Sequence, residues 1–383
     1  MLLSVWALTG AVGNAAEPVT IGLTLSQTGK YAELGEMQKL GYQLWERHVN
    51  EAGGLLGRPV AMRIQDDRSD PHRAARLYES MIVEEGVDLV LGPYSSSITM
   101  AVVPVAERHG YPLLAGGASA DAIWSKGYQY VFGVYSPASR YAVEFLELAV
   151  VNGMDSLAVV AADDAFSRSA AAGVMTWSRR FELDLLLNRF FPKGEASYRE
   201  LAAECKAVTP DLLIVCGHFE ESVGFRQALH ELGWHPRAFY ATVGPATEDY
   251  ATVLGELASL TFTSSQYEPR ANISFESFTR FNADFQSLYG FQPAYQAAAA
   301  YAAGELLSAA VSRVGSLDRE ALRQTLLNMD ATTLIGRYGV DRTGMQVKHW
   351  PLIVQWQKGR KEIVWPTEVR TAEPVFLNPQ AAP

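Results

Sequence analysis

Two loops that combine glycine with serine carry the side chains best suited to hold a small anion. Leu91–Ser97 and Leu114–Ser119 each follow a short apolar run. Ser96 lies where a helix is predicted to begin, and a helix N-terminus presents unpaired backbone N–H groups and a favourable dipole to an anion. A hydroxyl beside those groups suits a ligand carboxylate. The alternative is that one of these serines only caps the helix.

Motifs for catalysis and for metal binding are missing from the sequence. It has no nucleophile elbow, no phosphate-binding P-loop and no dinucleotide-binding glycine fingerprint. His230 and His235 resemble a zinc-binding helix, but their spacing turns the second ring roughly 140° away from the first. The acid pairs at 66–67 and 163–164 are interpreted as loop acids or helix caps. We therefore predict no catalytic activity, no metal and no cofactor.

The elements that position the two loops alternate between strand and helix. Val19–Leu25 is predicted to be a strand and Glu33–Asn50 a helix that ends at a glycine pair. The alternation continues through three more apolar runs, and this rhythm predicts a parallel sheet with helices on both faces. The three further strands are predicted at Pro59–Gln65, Asp88–Leu91 and Pro112–Leu114.

The same rhythm restarts near residue 156 and predicts a second sheet of similar size. Two such sheets imply two lobes with a cleft between them, and ligands of open α/β sheets collect at the carboxyl ends of the strands. The two glycine–serine loops lie at such ends. The strands of the second sheet are predicted at Ser156–Ala161, Leu183–Phe190, Asp211–Cys216, Ala238–Ala241 and Leu260–Thr263, with a final pair at Leu352–Gln357 and Glu362–Trp365.

Composition and charge narrow the class of protein. Hydrophobic residues make up 48% of the chain and charged residues 19%, which is an ordinary globular balance. The formal net charge is -10, and an acidic surface repels a phosphate backbone. Nucleic acid is therefore excluded as a predicted partner.

The N-terminus and the cysteines indicate the compartment. Leu2–Val12 is a short apolar stretch followed by small residues, which predicts a signal peptide over residues 1–16. The alternative is a buried first strand. Cys205 and Cys216 are predicted to stay unpaired, because the expected helix and strand offset them by about 10 Å. Because no cysteine lies near the signal for lipid attachment, a freely soluble periplasmic protein is expected.

Five ordered segments within residues 19–135 resemble the periplasmic leucine/isoleucine/valine-binding proteins. They include a strand-and-loop opening, an N-x-A-G-G-x-x-G turn and a K-G-Y-x-Y-V-F stretch. Five motifs in the same order make the resemblance specific at the level of the fold. The segments are Ile21–Ala32, Asn50–Gly57, Asp66–Pro71, Leu91–Ser97 and Lys126–Phe132.

The resemblance implies the type I periplasmic binding fold, an α/β architecture of two Rossmann-like lobes joined by three crossings that act as a hinge. Lobe one would be 17–136 with 267–338, and lobe two 137–266 with 339–383. The implied function is that of an extracytoplasmic solute-binding protein of an ABC importer, which captures an amino acid or a related small carboxylate by lobe closure. The implied partners are this ligand and a membrane permease, and the expected state is a monomer.

The resemblance also assigns site residues. The loop with Gly117, Ala118 and Ser119 matches a second region that contacts the ligand carboxylate and amine. Phe166 and the pair His218–Phe219 match aromatic positions of lobe two that cover the ligand, although a buried core is the commoner place for a phenylalanine. With Ser96 and Val243, these residues complete the predicted set.

Val243 departs from the pattern of the family. The family places a carboxylate there to pair with the ammonium of the ligand, and an unpaired ammonium in a closed cleft costs several kcal/mol. Either Glu248 or Asp249 takes over this role, or the ligand lacks an α-amine. The second option indicates an aromatic or aliphatic carboxylate or an amide. A sensory ligand-binding module on the same fold is the remaining alternative.

Overall fold

The computed structural model describes residues 16–192, 197–271, 273 and 276–377. The predicted signal peptide, residues 1–16, lies outside the described residues except for Ala16. Within the described ranges, no helix has both the length and the apolar composition needed to cross a membrane.

The first sheet consists of β1 (Val19–Leu25), β2 (Val60–Asp66), β3 (Leu89–Leu91), β4 (Leu113–Ala115) and β5 (Val131–Gly133). All neighbouring strands are parallel, in the spatial order β2-β1-β3-β4-β5. The strands β3 and β4 are fully buried, as expected where helices cover both faces of a parallel sheet. The order reverses between β1 and β3, and such a switch point is where open α/β sheets bind ligands.

The second sheet has a parallel part that repeats this order. It contains β6 (Ser156–Ala162), β7 (Asp184–Phe191), β8 (Leu212–Cys216), β9 (Ala238–Ala241) and β10 (Thr261–Ser265). Their spatial order is β7-β6-β8-β9-β10, so the switch point lies between β6 and β8. The two sheets therefore offer equivalent ligand-binding edges.

The C-terminal strands extend the second sheet. A short hairpin of β11 (Ala331–Thr333) and β12 (Gly336–Tyr338) precedes β13 (Leu352–Gln357) and β14 (Arg360–Trp365). The strand β13 pairs antiparallel with β10, and β14 pairs antiparallel with β13. The last two strands are therefore part of the second sheet, although they lie far from its other strands in the chain.

Helices cover both sheets. The two 20-residue helices, α1 (Ala32–Glu51) and α10 (Tyr295–Val314), pack against each other, and α10 also contacts β4. The helices are α1 Ala32–Glu51, α2 Pro71–Val83, α3 Ser96–His109, α4 Val143–Val151, α5 Ala165–Arg180, α6 Tyr198–Ala207, α7 Phe219–Glu231, α8 Asp249–Leu254, α9 Glu276–Tyr289, α10 Tyr295–Val314 and α11 Arg319–Asn328.

The contact between α1 and α10 depends on a glycine. A Cβ at Gly41 would lie 2.0 Å from the carbonyl oxygen of Ala297, which is backbone and cannot move aside. The alanines of α10 around this point are fully buried. The small residues of both helices thus allow a close approach that holds residues 276–328 on the first sheet.

Three crossings join the two sheets, after β5, after β10 and after β12. The Gly133 N–H donates to the carbonyl of Gly344 over 2.8 Å, which ties the first crossing to the third. The Ser136 N–H donates to Oε1 of Gln266 over 3.1 Å, which ties the first crossing to the second. The predicted architecture of two helix-flanked parallel sheets with a three-crossing hinge is confirmed.

Several short elements were not predicted. The strand β5 and the hairpin β11–β12 have three residues per strand, too few for a period-2 pattern to stand out. The helix α4 has a nearly continuous apolar sequence, so it lacks the period of an amphipathic helix.

Cys205 and Cys216 are buried and unpaired, as expected, and burial raises the pKa of the Cys205 thiol to about 12.

Candidate functional site

A narrow cavity lies between the carboxyl ends of the two sheets, and its interior has room for only about 20 Å³ of water-sized groups. Small-molecule sites usually have roughly 300–1,000 Å³, so a ligand larger than water requires the wall to move outward. The cavity is lined from the first sheet by Tyr94, Ser95, Ser96, Gly117, Ser119, Tyr135 and Tyr295, and from the second by Tyr141, Phe166, His218 and Val243.

Ser95 supplies the hydroxyl that is most available to a ligand. It precedes α3 as the N-cap residue, yet its side chain makes no cap hydrogen bond. Its Oγ is buried and has no hydrogen-bond partner among the described residues. The backbone of Ser95 has φ 150° and ψ 171°, a region that is populated almost only by glycine. Strain of this kind clusters at ligand sites, where it pre-organises a functional group.

Ser96 lines the same cavity, but its hydroxyl has a structural role. Its Oγ accepts hydrogen bonds from the backbone N–H groups of Ser119 and Ala120, over 3.1 and 3.0 Å. The side chain is therefore a clamp between the two glycine–serine loops. The sequence analysis expected the Ser96 hydroxyl to face the ligand. The structure shows that it also bonds to the backbone of the second loop.

We expect Ser96→Ala to destabilise the protein, because it leaves two buried N–H groups without an acceptor. The free energy of unfolding should fall by about 2–3 kcal/mol, to be measured by urea denaturation. Ser97→Ala, one residue further along α3 and half-buried, is the matched control and should change it by less than about 0.5 kcal/mol. Equal midpoints for wild type and Ser96→Ala would contradict the clamp.

The second loop reaches the cavity through Gly117 and Ser119. A Cβ at Gly117 would lie 2.3 Å from Oε1 of Gln38 and 2.7 Å from the carbonyl oxygen of Pro93. Glycine is thus required by the packing behind the loop, in addition to any close approach of the ligand. The side chain of Ala118 belongs to the hydrophobic core and does not line the cavity.

Four tyrosines form much of the wall, and sequence reasoning missed all of them. The rings of Tyr135 and Tyr295 meet edge to face with centroids 5.5 Å apart. Burial raises the pKa of all four phenols, to about 12 for Tyr141, so they are neutral hydrogen-bonding groups at neutral pH. The Tyr135 hydroxyl is buried and lacks a hydrogen-bond partner within the described part of the chain. The site thus contains a second donor that no described residue uses.

The second sheet contributes an aromatic cover. Phe166 lies in the first turn of α5 and meets Tyr141 edge to face at 5.3 Å. His218 is the N-cap residue of α7, and its ring lies 5.2 Å from Phe166 and 5.7 Å from Tyr31 of the first lobe. These contacts place rings from both sheets around one space. The predicted Phe166 and His218 therefore lie together with the serines.

Phe219 lies outside this cavity. It lines a larger outer cleft that also includes Lys30, Tyr31 and His218. As the first residue of α7, it packs beside the cluster of Tyr250 and Trp356. His218 lines both spaces, so it stands between the inner cavity and the outer cleft.

Among the described residues that line the inner cavity there is no carboxylate. Val243 is 3% exposed and lines it at the position where the sequence pattern expects an acid. Glu248 and Asp249 line a different cleft, so neither replaces that acid. Two acids contact the wall residue His218: Oε2 of Glu221 accepts a hydrogen bond from its backbone N–H over 2.8 Å, and Oδ2 of Asp164 lies 3.6 Å from its Nε2. Asp164 also accepts hydrogen bonds from the N–H and hydroxyl of Ser167, as the cap of α5.

Known proteins share this architecture. The chain is 25% identical to Leu/Ile/Val-binding protein homolog 7 of Brucella suis, over 97% of both chains. The leucine-binding protein LivK of Thermotoga maritima superposes with a TM-score of 0.82 at 21% identity, covering 94% of this chain and 99% of that one. An ABC-transporter solute-binding protein of R. palustris, crystallised with benzoate, gives 0.79 at 20% identity, covering 95% and 98%.

The sequence profile of the periplasmic binding proteins matches residues 18–361, which include all strands of the first sheet and most of the second. The match covers both glycine–serine loops and both aromatic positions of the cover. The predicted resemblance is thus confirmed over nearly the whole chain: the protein belongs to the periplasmic binding protein family.

Proposed function

We propose that this chain is the solute-binding component of an ABC importer, and that it captures a small carboxylate without an α-amine, with an aromatic ring as its preferred body. The lobes that close on the ligand are residues 17–136 with 267–338 and residues 137–266 with 339–383. Membership of the family and a cavity lined from both sheets support this proposal.

The distribution of polar groups in the inner cavity carries the choice of ligand. Ser95 and Tyr135 offer buried hydroxyls that make no hydrogen bond to any described residue, and α3 begins beside them. Together these groups suit an anion. An ammonium group would find no carboxylate among the described wall residues, and its burial without a partner costs several kcal/mol.

The apolar part of the wall favours a ring. Tyr94, Tyr141, Phe166 and Tyr295 surround the space, and aromatic pairs gain about 0.5–1.5 kcal/mol beyond the burial of their area. The R. palustris protein, which has the same fold, was crystallised with benzoate. The Brucella suis relative carries a name that refers to branched-chain amino acids. Both classes of ligand therefore occur on this architecture, and the wall of this cavity suits the first.

The same proposal covers location and partners. Export through the signal of residues 1–16 would place the protein in the periplasm, where it would deliver its ligand as a monomer to a membrane permease. No catalytic step is part of the proposed function, because neither Oγ of Ser95 nor Nδ1 of His218 makes a hydrogen bond to any described residue.

A thermal-shift panel tests the ligand class. Benzoate at a hundredfold excess over its Kd should stabilise the protein by about 2.7 kcal/mol and raise Tm by several degrees. Benzyl alcohol and L-leucine should leave Tm unchanged at the same concentration, because one lacks the carboxylate and the other adds an ammonium. Stabilisation by L-leucine without stabilisation by benzoate would overturn the choice of ligand class.

A further inference from the structure

A second cleft beside the inner cavity has the features of a separate binding site. Its empty volume is about 890 Å³, and α1 lines one side with Glu33, Leu34 and Met37. The connection from Phe291 to Gln296 continues the wall. The opposite side comes from the second sheet and its helices, through Thr247, Glu248, Asp249 and Lys361.

Carboxylates outnumber cations on this wall. Glu33, Glu248 and Asp249 all line the cleft, and Lys361 is the one cation among the described lining residues. The Lys361 ammonium is already engaged, since its Nζ donates to the Ala246 carbonyl over 2.7 Å and lies 3.5 Å from Oε1 of Glu248. It therefore leaves the other two carboxylates without a cation of their own on the wall.

Glu33 and Asp249 face each other across the cleft from different sheets. Burial, a hydrogen bond to Asp249 and the charge of Asp249 raise the pKa of the Glu33 carboxyl to about 7. The nearby negative charge of Asp249 disfavours the ionised form of Glu33. The negative charge of Glu33 is thus fully developed only above neutral pH.

Gln296 provides an independent sign of a ligand. It lies in the first turn of α10, lines the cleft and is 0% exposed. Neither its Oε1 nor its Nε2 has a hydrogen-bond partner in the part of the chain that is described. A buried amide with both ends unpaired destabilises the fold unless a ligand satisfies it.

We propose that this side cleft binds a small primary ammonium compound with an apolar body. The ammonium would lie between Glu33 and Asp249 and displace the proton of Glu33, while Gln296 would accept one of its hydrogen bonds. The apolar body would pack on Leu34, Met37 and Phe291, which line the same space. Three donors on one ammonium match the acceptors that this wall presents.

The location predicts coupling to the inner cavity. Elements of both sheets line the side cleft, so a cation that bridges Glu33 and Asp249 favours the closed arrangement of the lobes. Elements of both sheets also line the inner cavity, so the same closure favours the binding of a ligand there. By reciprocity, each ligand should raise the affinity for the other by the same factor.

The affinity for the cation should rise with pH. The titratable groups on or behind the wall are Glu33, Glu248, Asp249, Lys361 and Glu268, and Glu268 lies 3.3 Å from the Lys361 ammonium. The pKa of Glu33 is raised to about 7, and burial raises the pKa of Glu268 as well. Because the ammonium needs the deprotonated form of Glu33, its apparent affinity should increase about tenfold between pH 6 and pH 8.

Isothermal titration of the full chain with benzylammonium, in the absence of any carboxylate ligand, tests the site. Benzyl alcohol is the neutral control of nearly the same shape. We expect benzylammonium to bind at least tenfold more tightly than benzyl alcohol at pH 8, and to release a proton on binding at pH 6. No detectable binding of benzylammonium, or equal affinities for the two compounds, would overturn the proposal.

Variants separate this site from the inner cavity. Asp249→Asn and Gln296→Leu should each lower the affinity for benzylammonium at least tenfold. Glu256 is an exposed acid near α8, and Glu256→Gln should leave that affinity unchanged. The proton release of the wild-type chain gives a readout that does not depend on the folding of any variant. Because no carboxylate is added, the result is independent of the ligand class proposed for the inner cavity, and loss of affinity in Glu256→Gln as well would contradict the assignment.

Discussion

Val243→Asp is expected to lower the affinity for benzoate by at least about 100-fold at pH 7, which corresponds to about 2.7 kcal/mol. The new carboxyl would lie in a buried wall whose other groups are neutral phenols, hydroxyls and rings. It would either repel the carboxylate of the ligand or have to be protonated, and both outcomes cost binding free energy. Isothermal titration with benzoate measures the effect.

The matched control for this change is Val243→Asn, because asparagine has nearly the same shape as aspartate and no charge. It should lower the affinity for benzoate by less than about tenfold, because an amide can donate as well as accept hydrogen bonds. The ratio of the affinities for benzoate and L-leucine should shift toward leucine in Val243→Asp alone. Benzoate binding within threefold of wild type in that variant would show that residue 243 does not face the ligand.

Ser95→Gly is expected to stabilise the protein and, at the same time, to lower its affinity for the ligand. Glycine adopts φ 150° and ψ 171° without steric strain, so the free energy of unfolding should rise by about 1 kcal/mol. The loss of a hydroxyl that bonds a charged ligand should lower the affinity for benzoate by roughly 1.5–3 kcal/mol, about 10- to 100-fold. Urea denaturation and isothermal titration give the two values.

Ser95→Ala separates the two effects. It removes the same hydroxyl but keeps the strained backbone, so it should weaken benzoate as much as Ser95→Gly does without the gain in stability. If Ser95→Gly neither stabilises the protein nor weakens benzoate, then the strain and the contact are both refuted. If Ser95→Ala binds benzoate as tightly as wild type, the hydroxyl does not contact the ligand.

Much of the fold could be predicted because long elements leave strong patterns. The alternation of apolar strands such as Val19–Leu25 with long helices such as α1 is visible in the residues alone. The order of strands in each sheet could not be obtained from that alternation. The same strand–helix rhythm is compatible with several spatial orders, and only the structure shows which one is adopted. The return of β13 and β14 to the second sheet depends on contacts far apart in sequence.

The site was predicted unevenly, for a physical reason. Loops at strand ends can be recognised in a sequence by their glycine and serine residues. Ser96, Gly117 and Ser119 were therefore predicted, and they line the cavity. Their separate roles depend on hydrogen bonds between the loops, such as the Ser96 clamp, and no sequence pattern encodes those bonds. Ser95 differs from Ser96 only in its backbone conformation and in its lack of a partner.

The tyrosines of the wall had no recognisable signal. Tyr135 follows the short strand β5, and Tyr295 begins α10, more than 150 residues further along the chain. An isolated tyrosine is as typical of a core as of a binding site. Only the three crossings bring these rings together, so their role follows from topology. The same holds for Glu33 and Asp249, which come from different sheets.

The central claim is that the inner cavity selects a carboxylate and rejects an α-ammonium. Its most direct test is a pair of titrations with 4-methylpentanoate and L-leucine, which have the same carbon skeleton and differ by the amine. We predict that 4-methylpentanoate binds at least about 100-fold more tightly, because no wall residue in the described part of the chain offers the ammonium a carboxylate partner. Tighter binding of L-leucine would contradict this account.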